Sequence, residues 1–387
     1  MMYTCAVPCL DPAHRHPPVH PAVTAAVRTA PARKTAVKTV KAAAGRPRRK
    51  TTGRSARVDI HCHYLNPAVA ADVAPLNPAQ HEPSIIYATD LTREVNVKQM
   101  RDRAPQLSTI EVRLKDMDRM GIDIQAVSPA PPQFYYWTEP SLGAGLAARV
   151  NDRIAEIVAT WPDRFVGLGT VPLQNADLAV GELERAVQQL GLRGIEINTN
   201  VNGRNLTDPA LGLEKFFRRV QELDVVLFLH PNSFTHADRL TQHYFNNVIG
   251  NPLDSTIAVS SLIFDGVLER NPKLKVVVAH SGGYLAHYWA RMDHAHRARP
   301  DCRTVIRKPP STYLKKLHFD TITFDTDMLR HSIEKWGVDH VLLGTDYPYD
   351  MGDVDPVGHI ERVPRLSRAD KERIMGGNAA RLLKIRR

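Results

Sequence analysis

Val58-Asp59-Ile60-His61-Cys62-His63 is a short apolar run that ends in two histidines at i and i+2. Side chains alternate across an extended strand, so this spacing turns both imidazoles to the same side. Three later runs end in the same kind of residue. Val226-Leu227-Phe228-Leu229-His230 and Val276-Val277-Val278-Ala279-His280 finish in histidine, and Val341-Leu342-Leu343-Gly344-Thr345-Asp346 finishes in aspartate. Four further apolar runs, Ile124–Ser128, Phe165–Val171, Gly194–Asn198 and Leu317–Thr321, complete a set of eight. Amphipathic stretches such as Leu178–Leu190, Leu213–Leu223 and Met328–Trp336 lie between them. Eight runs alternating with helices predict an α/β fold, a (β/α)8 TIM-type barrel with insertions spanning 58–387. A doubly wound open sheet is the competing arrangement, but no Gly-rich dinucleotide fingerprint follows the first strand. Residues 64–110, rich in Pro, Asn and charge, are expected as a long first loop over the barrel mouth, and Ser367–Leu383 as a closing helix capped by Ser367.

A barrel gathers the C-terminal ends of its strands on one face, where catalytic side chains sit. Three or four histidines and one carboxylate converging there form a ligand set for Zn²⁺ or a similar divalent ion. His294-Ala295-His296 has the same spacing as His61 and His63 but falls in a helical stretch, where the rings point roughly 200° apart and chelate poorly. Cys62 faces away from its two histidine neighbours and is expected in the core.

The 387 residues carry a formal net charge of +10, and its location matters more than its size. Residues 1–57 hold twelve Lys/Arg and one acid, Asp11, so the remainder is close to neutral. This stretch of Ala, Pro, Lys and Arg has no hydrophobic periodicity and is expected to be a disordered tail. Gly45-Arg46-Pro47, followed by Arg48, Arg49 and Lys50, resembles the core of an AT-hook, and the acid-poor composition resembles an organelle transit peptide. Such short matches arise by chance in basic low-complexity sequence. A dispensable tail or a mis-assigned start is therefore the expectation, with nucleic acid limited to a weak contact by the tail. The tail lacks the apolar core of a secretory signal. Four cysteines are too few for a disulfide framework, and no apolar stretch approaches the roughly 20 residues of a membrane-spanning helix. A cytoplasmic protein without a membrane partner is expected.

The motif series His61-Cys62-His63, His230-Pro231, His280-Ser281-Gly282-Gly283 and Gly344-Thr345-Asp346-Tyr347-Pro348 resembles that of the amidohydrolase superfamily. More narrowly it resembles the branch containing aminocarboxymuconate semialdehyde decarboxylase and the metal-dependent aromatic acid decarboxylases. The likeness begins near Val58 and takes in Arg113–Asp118, Val201-Asn202-Gly203, Asn271-Pro272-Lys273-Leu274 and Gly377-Asn378-Ala379. It implies that His61, His63, His230 and Asp346 hold one divalent metal, zinc first and manganese as the other candidate, with His280 beside it as the acid/base. Imidazole suits that task because it exchanges protons near neutral pH. The fourth run offers Glu196 but no lysine of the kind that bridges two metals, so a mononuclear site is expected. The resemblance also implies a homodimer, in which a carboxylate-binding arginine on the helix after the sixth strand reaches the partner's site; Arg291 and Arg299 match that stretch. A second arginine in the first loop has Arg93, Arg101 and Arg103 as candidates.

The resemblance has one departure. Asn247 stands where the aminocarboxymuconate enzyme has a tryptophan, and Pro231-Asn232-Ser233 follows His230 in place of a bulky aromatic. Amides in place of a ring favour a more polar or differently shaped substrate. The expected function is non-oxidative decarboxylation of an unsaturated or aromatic carboxylic acid. A hydrolase or hydratase of the same family, acting on a ring-cleavage product, ester or lactone, is the alternative.

Overall fold

The computed structural model of the chain describes residues 54–385. The tail expected over 1–57 therefore lies almost wholly outside the described residues. Of its last four, Arg54 pairs with Asp123 at 2.6 Å, and the Arg57 amide donates to the same carboxylate at 2.8 Å.

Eight parallel strands run in chain order around a barrel: β1 (Val58–Tyr64), β2 (Ile124–Pro129), β3 (Phe165–Gly169), β4 (Gly194–Ile197), β5 (Val226–Leu229), β6 (Lys275–Val278), β7 (His318–Asp320) and β8 (Val341–Leu342). Backbone hydrogen bonds join its two ends: Ile60 N–H donates to Leu343 O at 2.9 Å and His63 N–H to Tyr347 O at 2.8 Å. Strands covered on both faces need no strict alternation, and each was legible as a short apolar run. Several are shorter than their runs. His230, His280 and Asp346 therefore stand in the loops just beyond β5, β6 and β8, where backbone freedom lets them turn inward.

Inside the barrel, Val58, Ile60, Ala126, Leu168, Val226, Phe228, Val277 and Leu342 pack together with Leu382 and Leu383 from the chain end. The register of β1 against β2 shifts between Asp59 and Cys62. Such an irregularity changes which face the following residues present, and it places His61 and His63 inward above Ile60. Cys62 points outward into the layer between strands and helices, fully buried, as expected.

The region 64–110 corrects the expectation of an irregular loop. It contains helices Pro67–Val73, Pro83–Ile86 and Asp90–Ser108. Asp90–Ser108 is capped by the Thr89 side chain and buries only Leu107. A helix with no apolar stripe leaves no 3.6-residue signature to read. The closing segment is also more broken than expected. The Ser367 capping box starts helix Arg368–Glu372, a π-turn follows over Arg373–Gly377, and the chain ends in helix Asn378–Leu382. A two-stranded ribbon, Asn200–Val201 with Arg204–Asn205, was not anticipated.

Candidate active site

The bent top of β1 and the loops after β5 and β8 bring His61, His63, His230 and Asp346 together, with one donor atom of each within 4.8 Å of all the others. His61 Nε2 lies 3.1 Å from His63 Nε2 and 3.3 Å from Asp346 Oδ1, which is 3.0 Å from His63 Nε2. His230 is 4% exposed, and neither of its ring nitrogens has a hydrogen-bond partner. An unpartnered buried polar group costs about 1–3 kcal/mol. Three imidazole nitrogens and a carboxylate in this arrangement fit a single divalent cation, which would give His230 the partner it lacks. Glu196, at the end of β4, is 3.8 Å from His63 Nδ1. Burial pushes its carboxyl up to about 8.

The charges within the set are unequal. Burial opposes a charge on His61, but Asp346 and Asp320 overcome it and raise its pKa well above the ordinary value. Burial is the main force holding His63 below its usual range; His230 is lowered further, by burial and then by the neighbouring imidazoles. Burial also opposes ionisation of Asp346, yet His61, His280 and His63 together keep it well below the usual carboxylate range. A cation binding here would compete with the proton that Asp346 and Asp320 favour on His61.

His280 stands apart from the four. Its Nε2 is 3.6 Å from Asp346 Oδ2, its Nδ1 is unpartnered, and its side chain is 17% exposed, against 6% or less for His61, His63 and Asp346. The backbone here is left-handed at His280 (φ 54°) and Ser281 (φ 53°), and Asp346 adopts φ 54°. Non-glycine residues in this region cost about 1–3 kcal/mol each, and such strain clusters where side chains must be aimed. Two carboxylates that the sequence reading missed hold these loops. Asp320, at the end of β7, accepts from His61 Nδ1 at 2.7 Å and from the His280 and Ser281 amides at 2.9 and 2.7 Å. Asp59 accepts from the His61 amide, the Thr345 amide and hydroxyl, and Gln125. Asp59 and Asp320 each sit in a run already recognised as a strand, and that was the only available signal.

Tyr349 covers the set, its ring centroid 5.3 Å from that of His63 and its hydroxyl buried without a partner. Asn232 Nδ2 donates to Glu82 Oε2 at 3.1 Å, and burial pushes the Glu82 carboxyl up to about 7. Asn247 is half-buried in the turn Asn246–Gly250. Arg291 is exposed on helix Leu285–Ala298. Arg299 spends its fork on Asp301 at 3.0 and 2.7 Å. Of the first-loop arginines, Arg93 is tied to Asp90 and the Ile85 carbonyl, and Arg101 is 73% exposed. Arg103 lines a cavity of about 370 Å³ together with Gln99 and Asp350, the residue after Tyr349. His296 bonds the Ile306 carbonyl and His294 is exposed, so that pair chelates nothing.

Eight parallel strands with imidazole and carboxylate donors at their C-terminal ends define a metal-binding TIM-barrel enzyme. The chain belongs to the amidohydrolase family, which matches it over residues 58–385. It is 38% identical over 274 residues to 2-amino-3-carboxymuconate-6-semialdehyde decarboxylase of Dictyostelium discoideum, covering 70% of this chain and 76% of that one. The crystal structure of 5-carboxyvanillate decarboxylase from Sphingomonas paucimobilis superposes with a TM-score of 0.76 at 26% identity, covering 86% of this chain and 99% of that one. Dihydroxybenzoic acid decarboxylase from Polaromonas sp. JS666, solved with manganese and 2-nitroresorcinol, shares the fold with a TM-score of 0.73 at 24% identity, covering 86% and 98%. Among the described residues no helix is long and apolar enough to cross a membrane.

Proposed function

We propose that the chain catalyses metal-dependent, non-oxidative decarboxylation of an unsaturated or aromatic carboxylic acid, with zinc as its resident ion. The observation that carries this reading is the pairing of a sealed three-histidine, one-aspartate set with a further histidine, His280, that faces the same carboxylate yet stays open to solvent. The names of the similar decarboxylases support the reaction class. A bound divalent ion would polarise a substrate oxygen and hold the acid in place. His280 then gives a proton to the carbon that bears the carboxylate. The electron pair of the breaking C–C bond returns to the π system, CO₂ departs, and water restores the proton to His280. Tyr349 and the loops after β5 and β8 keep bulk water from the donor set.

Of the three first-loop arginines, Arg103 is our choice to meet an incoming carboxylate, since it lines a cavity with Asp350, the residue after Tyr349. Arg291 faces outward beside exposed Tyr288, and Phe324 and Met328 are exposed on the neighbouring segment, where the His287 and His331 rings meet at 5.1 Å. This apolar face supports a homodimer in which Arg291 serves the partner's site. The test is turnover by zinc- or manganese-loaded protein on hydroxybenzoic acids and aminocarboxymuconate semialdehyde in D₂O. Decarboxylation releases CO₂ and leaves one deuterium at the vacated carbon; water addition without CO₂ would assign the chain to a hydratase.

A further inference from the structure

We propose that Asp320 is the positioning residue of this site, one carboxylate that fixes both the ring orientation of His61 and the backbone that aims His280. This rests on the metal-site reading above. Asp320 is fully buried, and four groups converge on it. Oδ2 accepts from His61 Nδ1 at 2.7 Å and from the His280 amide at 2.9 Å; Oδ1 accepts from the Ser281 amide at 2.7 Å and the Ile322 amide at 3.1 Å. Three of the four are backbone N–H groups, which donate and never accept. Both oxygens are therefore committed as acceptors, and the fourth partner, His61 Nδ1, carries its proton toward Asp320. That leaves the Nε2 lone pair facing His63 and Asp346, where a cation would sit.

The same carboxylate has a second effect. His280 and Ser281 are consecutive non-glycine residues in the left-handed region, and their amides both end on Asp320. Those two bonds offset a conformation the chain would otherwise leave. The close approach also needs a glycine from β8's end: a Cβ on Gly344 would lie 2.8 Å from Asp320 Cβ and 3.0 Å from His61 Cβ. Asparagine cannot replace the aspartate, because its amide nitrogen would face donors on one side whichever way it turned.

The experiment uses full-length protein and Zn²⁺ as the probe. In wild-type protein loaded with Zn²⁺ and ¹⁵N-labelled at histidine, long-range ¹H–¹⁵N spectra should show His61, assigned by loss of its signals in His61→Gln, as the Nδ1–H tautomer with a low-field proton. Asp320→Asn should bind Zn²⁺ about 10–100-fold more weakly in a chelator competition. It should also lose that low-field proton while keeping the wild-type circular dichroism. Gly344→Ala, which crowds the pair but leaves the carboxylate, should weaken Zn²⁺ in the same direction. An Nε2–H tautomer in the wild type overturns the proposal without any variant, and so does a folded Asp320→Asn with unchanged affinity and His61 resonance. Failure of the site reading looks different: His61→Gln would then bind Zn²⁺ as tightly as wild type.

Discussion

At the scale of single residues, the site separates holding a cation from moving a proton. His61, His63 and Asp346 are mutually within 3.3 Å, so replacing any one by Ala breaks a set whose remaining members cannot close around an ion. Each such variant, purified without added metal, should lose most of its bound ion by elemental analysis, with activity falling in proportion. His280→Ala should behave otherwise. A side chain that is more open than the donor set, with its Nε2 3.6 Å from Asp346 Oδ2 and its ring edge-on to those of His61 and His230, can be removed while the ion stays. Metal content should then remain near wild type while turnover falls about 10²–10⁴-fold, the usual contribution of a general acid or base. A metal-depleted His280→Ala protein would place His280 among the ligands instead. These roles were legible in the sequence because each residue ended an apolar run. Asp320 was not: its partners lie 40 and 259 positions away, and an aspartate at a strand's end reads equally as the start of a loop.

At the scale of elements, the strands were readable and the helices of 64–110 were not, for one physical reason. Parallel barrel strands bury both faces and appear as apolar runs whatever their exact ends. Helix Thr326–Trp336 buries Leu329, Ile333 and Trp336 on one stripe and was equally visible. Helix Asp90–Ser108 fully buries Leu107 alone and so looked like a charged loop. The loop after β6 is the element on which the chemistry depends most. Gly283 has φ 62°, and a Cβ there would overlap the Pro252 carbonyl oxygen. That neighbour is backbone of helix Asn251–Phe264, which precedes β6, and it cannot swing aside. Gly283→Ala should therefore displace the His280 loop and destabilise the fold by about 2 kcal/mol or more, from left-handed strain together with the overlap. Denaturant unfolding measures the stability term. The ratio of turnover to bound metal reads the displacement; a fall in stability with that ratio unchanged would show that His280 does not depend on the loop.

At the scale of the whole molecule, the two ends of the barrel make different demands, and each can be tested without the other. At the mouth, an Arg291→Ala chain mixed with an Asp346→Ala chain should recover part of the lost activity if arginines cross a dimer interface, since one hybrid site then holds both groups. Proven heterodimers with no recovery would confine each site to one chain. At the opposite end, His318 opens β7 with its ring centroid 4.9 Å from that of His340. Burial, and then the charges of His340, Arg381 and Lys275, lower its pKa to about 4 from an ordinary 6.5. The sign follows from proton counting. Above pH 6.5 neither folded nor unfolded chain protonates this ring. As pH falls below 6.5 the unfolded chain gains a proton that the folded chain refuses until about pH 4, so stability is lost across that window. Between pH 7 and pH 5 the loss amounts to about 2 kcal/mol, at 1.36 kcal/mol per pKa unit. His318→Leu removes the titration, so its stability should fall by about that much less over the same interval. The donor set at the mouth titrates identically in both chains, and its contribution cancels when the two pH-dependent losses are compared by denaturant unfolding. Equal losses in wild type and His318→Leu would mean that the folded protein accommodates the charged ring as readily as the unfolded chain does.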